Sequence, residues 1–174
     1  MFDDLYIGLG ANLPHLQFGS PRATLEHALS LFPRVGIEVT QRSRWYESAP
    51  VPVSNQPWFV NAVVRCSTSR SPQEALTALH RFETDFGRRR MMRDEARAID
   101  LDIVAIGNMI LKGPTPPIVP HPRMAERAFV LIPLQELAPD WRHPVSGEAI
   151  ATLIERLPRE QVTRPLQELL SRRP

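Results

Sequence analysis

The chain has 174 residues, 43% hydrophobic and 23% charged, with a formal net charge of +2 at neutral pH. That length suits a single domain, 1–174, with a full core and a last ten or so residues that fray or dock; the near-neutral charge excludes a long basic face for nucleic acid. One cysteine, Cys66, excludes an internal disulfide and fits a reducing cytoplasm, and no apolar run has membrane-spanning length.

The acidic start, Met1-Phe2-Asp3-Asp4, resembles neither a signal nor a transit peptide and runs into a strand over 5–10. Gly8 and Gly10 in it suit a close approach of backbone to a ligand or a neighbouring strand, but lack the third glycine of a dinucleotide fingerprint. Ser20 as N-cap and Pro21 at the first helical position predict a helix whose buried stripe is Leu25, Ala28, Leu29 and Phe32, ended by Pro33 and Gly36. A second strand is predicted over 37–46, followed by a proline-bearing loop over 47–57, a length common in binding segments. Residues 58–68 read as a third strand. Within it Asn61 is a buried amide that either ties down a neighbouring loop or offers donor and acceptor to a planar heterocycle.

Ser71-Pro72-Gln73-Glu74 is a capping box that opens the clearest helix, with Leu76, Leu79, Phe82 and Phe86 as its stripe and Gly87 as its stop. His80 and Glu83 share a flank of that helix, either solvated or facing a nucleotide. Arg88, Arg89, Arg90, Arg93 and Arg97 then form a cationic segment suited to phosphate oxygens.

Ile99-Asp100-Leu101-Asp102-Ile103-Val104-Ala105-Ile106 follows, a strand that puts Asp100 and Asp102 on one face, roughly 6.5 to 7 Å apart at Cα. Neighbouring carboxylates in an apolar strand repel unless cations hold them ionised. Mg²⁺ suits that position, since it is commonly held by one or two carboxylates together with substrate phosphates. The pattern also suits an edge strand with two solvated aspartates. Gly107-Asn108 predicts a hairpin turn into a partner strand over 109–111. His121, stiffened between Pro120 and Pro122, stands one short helical turn from Arg127, a pair suited to an anion. Short helices are predicted over 129–137, around 150–157 with Ser146 a candidate cap, and over 165–171. Strands and helices mixed without regular alternation indicate an α+β domain with a mostly antiparallel sheet.

Six stretches carry a resemblance to a known family: Gly8-Leu9-Gly10-Ala11-Asn12-Leu13, Trp45-Tyr46-Glu47-Ser48-Ala49-Pro50-Val51, Gln56-Pro57-Trp58-Phe59-Val60-Asn61-Ala62-Val63, Glu83 through Gly87-Arg88, Arg97-Ala98-Ile99-Asp100-Leu101-Asp102-Ile103 and Pro120-His121-Pro122-Arg123-Met124-Ala125-Glu126-Arg127-Ala128-Phe129. In this order they resemble the 6-hydroxymethyl-7,8-dihydropterin pyrophosphokinases of the folate pathway. The resemblance implies a ferredoxin-like α+β fold and transfer of pyrophosphate from ATP to the pterin hydroxymethyl group, leaving AMP. It further implies that Asp100 and Asp102 hold two Mg²⁺ ions and that Arg88 and Arg97 grip phosphates, Arg97 moving with its loop. His121 and Arg127 would bind the triphosphate, and His80, Glu83, Ile103 and Ile118 would line the nucleotide site. Ser48, Val51 and Asn61 would hold the pterin between Phe59 and Phe129. The chain departs from the family's Arg-Trp-Gly-Pro-Arg at Met92-Arg93-Asp94-Glu95-Ala96-Arg97, where two acids sit near the expected phosphate site. A diverged paralogue with weak or altered turnover and a non-catalytic binding protein are the alternatives. A monomer is expected from the small size.

Overall fold

A computed structural model describes residues 1–87 and 96–167. Arg88 and residues 89–95, with the tail 168–174, lie outside the described residues. The sheet grows from strand β1 (Phe2–Ala11), which pairs antiparallel with β4 (Phe59–Thr68) on one side and β5 (Asp100–Ile106) on the other. Two short strands, β2 (Ile37–Arg42) and β3 (Tyr46–Ser48), lie along successive parts of β4, and β6 (Thr163–Pro165) adds to β3. The order β5-β1-β4-β2 and its antiparallel pairings make this a ferredoxin-like α+β fold.

Alternation along β1 builds two cores. Leu5, Ile7, Leu9 and Ala11 face helices α1 (Pro21–Leu31) and α2 (Pro72–Asp85), meeting Leu25, Ala28, Leu79 and Phe82. Tyr6, with Val63 and Val104, faces helices α3 (Ala128–Leu137) and α4 (Ile150–Glu155) through Leu131, Leu134 and Ile150. Cys66 is fully buried in the first of these cores, where burial, aided by the Glu38 charge, pushes its thiol up to about 12. Ser20 caps α1, Ser71 and Glu74 form the reciprocal capping box of α2, and Gly87 follows α2 with φ +76°.

Four expectations are corrected. The strand predicted over 37–46 breaks at 43–45, because the Ser43 hydroxyl, rather than a backbone carbonyl, accepts the Val63 N–H. Residues 109–111 do not pair with β5 as a hairpin; Leu111 instead forms an isolated bridge to Val119. Ser146 does not cap α4, whose N-cap is Ala149. The last helix predicted from Pro165 is contradicted where it can be seen, since Pro165 ends β6 against β3. A three-residue strand has too little sequence for its alternation to be read, so local pattern lost to tertiary pairing.

Candidate active site

The face of the sheet that carries α3 is left open at one end, and there it floors a cavity of about 660 Å³. Its floor follows from the strand register. Gly8 pairs with Asp102 and Gly10 with Asp100, while Gly10 also pairs with Asn61 on β4. Gly10 therefore lies between Asp100 and the amide, and Gly8 between Asp102 and Val63, without filling the space. A Cβ on Gly10 would lie 3.2 Å from Asn61 Oδ1 and 3.9 Å from Asp100 Cβ.

Asp100 and Asp102 are half-buried and both line the cavity. The guanidinium of Arg97 pairs with Asp100 at 3.0 Å. Oxygen donors on two adjacent carboxylates, open to the cavity, suit a hard divalent ion such as Mg²⁺, which takes its other ligands from substrate and water. Among the described residues no group of three or more acidic, histidine or cysteine side chains forms a complete metal cage.

Beside the strand that carries the acids the cavity wall is cationic. His121, Arg123 and Arg127 all line the cavity, brought there by a 3-10 turn (Met124–Glu126) between the proline-flanked His121 and α3. The His121 N–H bonds to the Val104 carbonyl at 2.9 Å, which fixes the residue against β5. Its Nδ1 accepts from the Arg123 N–H at 3.1 Å, so Nε2 carries the proton in the neutral ring. Burial, reinforced by the charges of Arg127 and Arg123 against the opposing pull of Asp100, lowers His121 to about 4. At neutral pH it is a neutral hydrogen-bond donor beside two permanent cations.

Along the sheet from the acids, Asn61 and Ser48 are 3% and 2% exposed, and Asn61 Nδ2 donates to Ser48 Oγ at 2.7 Å. Asn61 thus ties β4 to the end of β3 while lining the cavity. Val51, Phe59 and Phe129 also line the cavity, and the Arg127 guanidinium lies over the Phe129 ring at 5.5 Å from its centroid. His80, Ile103 and Ile118 line the cavity as well.

Glu83 corrects the expectation of a shared flank with His80. It does not line the cavity; at 2% exposure it accepts the Leu101 N–H at 2.9 Å, holding β5 between the two aspartates. A helix-period count cannot separate His80 from Glu83, because three positions on a helix place both beside the stripe and only the passing strand decides which is covered.

Asn12 escaped the sequence reading except as part of a motif. It is 2% exposed; its Oδ1 accepts the Arg97 N–H at 2.8 Å, and its Nδ2 donates to Gln56 Oε1 at 3.2 Å and the Pro57 carbonyl at 3.0 Å. The Asn12 and Leu13 N–H groups both donate to the Arg97 carbonyl. Any travel of Arg97 therefore starts from a backbone anchored on both sides. Arg123 was equally missed as a site residue, although its place two residues after His121 was the available signal.

The profile of the 7,8-dihydro-6-hydroxymethylpterin-pyrophosphokinase (HPPK) family matches residues 6–139, from the middle of β1 to just past α3. The chain belongs to the HPPK family. It is 40% identical over 151 residues to the 2-amino-4-hydroxy-6-hydroxymethyldihydropteridine pyrophosphokinase of Synechocystis, covering 87% of this chain and 74% of that protein. The HPPK of Pseudomonas aeruginosa is 38% identical over 94% of this chain and 98% of its own length. The folic acid synthesis protein fol1 of Pneumocystis carinii is 39% identical over 88% of this chain, which spans 20% of that longer protein. In three dimensions the chain is similar to a crystal structure of Plasmodium falciparum HPPK-DHPS, with a TM-score of 0.69 at 14% identity over 90% of this chain and 45% of that one. That likeness bears on the HPPK fold.

Proposed function

We propose that this chain, as a single domain and a cytoplasmic monomer, transfers pyrophosphate from ATP to the hydroxymethyl group of 6-hydroxymethyl-7,8-dihydropterin, yielding AMP and the pterin diphosphate for tetrahydrofolate synthesis. One observation carries the reading. Asp100 and Asp102 share a cavity with His121, Arg127 and Asn61, so carboxylates for metal, donors for phosphate and an amide for a heterocycle converge. Family membership, with relatives named for this activity, supports it.

Two Mg²⁺ ions at Asp100 and Asp102 would neutralise charge on the phosphoryl oxygens. His121, through its Nε2 proton, and Arg127 hold the triphosphate from the cationic wall. Arg97 leaves its pair with Asp100 to reach phosphate oxygens, Arg88 is assigned to phosphate by the family resemblance alone, and His80, Ile103 and Ile118 line the nucleotide. Asn61, Ser48 and Val51 orient the pterin, which stacks between Phe59 and Phe129. The pterin hydroxyl oxygen bonds to the β-phosphorus as the bond from that phosphorus to the α,β-bridging oxygen breaks. The bridging oxygen leaves with AMP, and the hydroxyl proton is released. No covalent enzyme intermediate is needed; alignment and charge stabilisation supply the rate.

Incubation with Mg-ATP and the hydroxymethyldihydropterin is the test. AMP should form only when the pterin is present; tight binding of both without AMP would reveal a binder instead. Asp102→Ala should lower the rate by about 10²-fold or more while the melting temperature holds. A variant with normal turnover would remove the metal from this strand.

A further inference from the structure

We propose that Gln161, beyond the stretch matched by the family profile, is a positioning residue for nucleotide binding, its amide clamping the backbone on both sides of Arg127. The proposal rests on Arg127 being a triphosphate contact. Gln161 Oε1 accepts the Ala128 N–H at 2.9 Å, and Gln161 Nε2 donates to the Glu126 carbonyl at 2.9 Å. One side-chain amide thus spans Arg127 as a strand neighbour would, bonding to the residue before it and the residue after it.

The need for such a clamp follows from the helix beside it. Ala128 is the first residue of α3, so its N–H has no partner within the helix. An N-cap side chain ordinarily serves the N–H of the second or third helical residue, so the Ala128 N–H has to find its acceptor elsewhere. Here the N-cap is Arg127, whose side chain makes no capping bond and instead lines the cavity over Phe129. A residue 33 positions downstream supplies the acceptor. Gln161 thereby satisfies the first helical N–H while the Arg127 side chain faces the cavity.

The remaining backbone groups of Arg127 are also fixed. Its N–H bonds to the Met124 carbonyl, and its own carbonyl accepts from Val130 and Leu131. With Gln161 added, the backbone from Glu126 to Ala128 is held on both sides, and the direction of the Arg127 Cα–Cβ bond is set. Guanidinium–phosphate bonding depends on that direction.

Gln161 is itself tied to the strand that carries Ser48. The next residue, Val162, accepts the Ala49 N–H through its carbonyl, and β6 pairs with β3, which carries Ser48. The C-terminal segment therefore joins the β3 end of the cavity to the start of α3.

The test uses the full chain and measures affinity for α,β-methylene-ATP with Mg²⁺ in wild type, Gln161→Leu, Gln161→Glu, Arg127→Ala and the Arg127→Ala/Gln161→Leu double variant. Gln161→Leu should weaken binding on the order of tenfold, the scale of loss when the group orienting a ligand contact is removed. Gln161→Glu, which keeps the acceptor for Ala128 and loses the donor to Glu126, should fall between Leu and wild type. In the Arg127→Ala background Gln161→Leu should cost nothing further, whereas a merely structural loss would add in full.

Wild-type affinity in both Gln161 variants, with Arg127→Ala weakened, overturns the inference and leaves the role of Arg127 standing, as does full additivity in the double variant. Wild-type affinity in Arg127→Ala overturns that role and the inference with it. If Gln161→Leu fails to fold, Gln161→Glu carries the same decision through its own cycle with Arg127→Ala.

Discussion

Gly10 is the residue at which the least chemistry has the most effect on the cavity. It can sit between Asp100 and Asn61 because it has no Cβ, and an added one would come to 3.2 Å from Asn61 Oδ1. Gly10→Ala should therefore displace the amide by a few tenths of an ångström and raise the KM for pterin roughly tenfold, on the scale at which an ångström of misplacement costs about 10²-fold. The KM for ATP should barely move; steady-state titration of each substrate decides it. His121 makes a different prediction. Its folded value near 4 lies below the ordinary 6.5 of the unfolded chain. Between those values the unfolded chain binds the proton and the folded one does not, so stability is highest above pH 6.5 and declines as pH falls toward 4. The melting temperature without ligands should drop more steeply over that window in wild type than in His121→Gln. Equal slopes would mean that the ring titrates normally in the fold. Both roles were only partly legible in the sequence. His121 announced itself by its two prolines, but nothing local says that Gly10 faces Asn61, since that depends on register between strands fifty residues apart.

Among the elements, the end of β1 does more than continue the sheet. Asn12, just beyond it, bonds at once to Arg97 and to Gln56 and Pro57, so the segment before β5 and the loop before β4 share one anchor. Asn12→Ala leaves the half-buried Arg97 N–H without that acceptor and should cost about 1–3 kcal/mol in denaturant unfolding. It should also slow AMP formation by about tenfold or more, because the two loops lose a common reference. Ser71→Ala is the control. It removes a cap worth about 1 kcal/mol from the far end of α2 and should leave turnover intact. The capping box, the stop at Gly87 and the aspartate strand were readable because each is a local rule contained within a few residues. Long-range bonds such as Asn12 to Arg97, Glu83 to Leu101 and Ser43 to Val63 have no such signature. They decide which helix flank is covered and where an extended segment breaks.

For the whole molecule, the two cores on either side of the sheet are built from apolar side chains, while the acids line the cavity. Chelating divalent ions should stop AMP formation and restored Mg²⁺ should return it, with the circular dichroism and melting temperature of the ligand-free protein unchanged throughout. A chelator that unfolded the chain would mean that metal is structural here, as it is not expected to be where only two carboxylates meet. The α+β class was legible from mixed elements and hairpin-like spacing, whereas the ferredoxin-like order came from the family resemblance; the pairing of β6 on β3 is three residues long and invisible to pattern. The fully buried Cys66 has one more implication. With its thiol sealed in the core, a cysteine placed at the exposed Val53 would be the sole site open to a maleimide dye. The native background needs no cysteine removed, and the loop beside the cavity could be watched by fluorescence as substrates arrive.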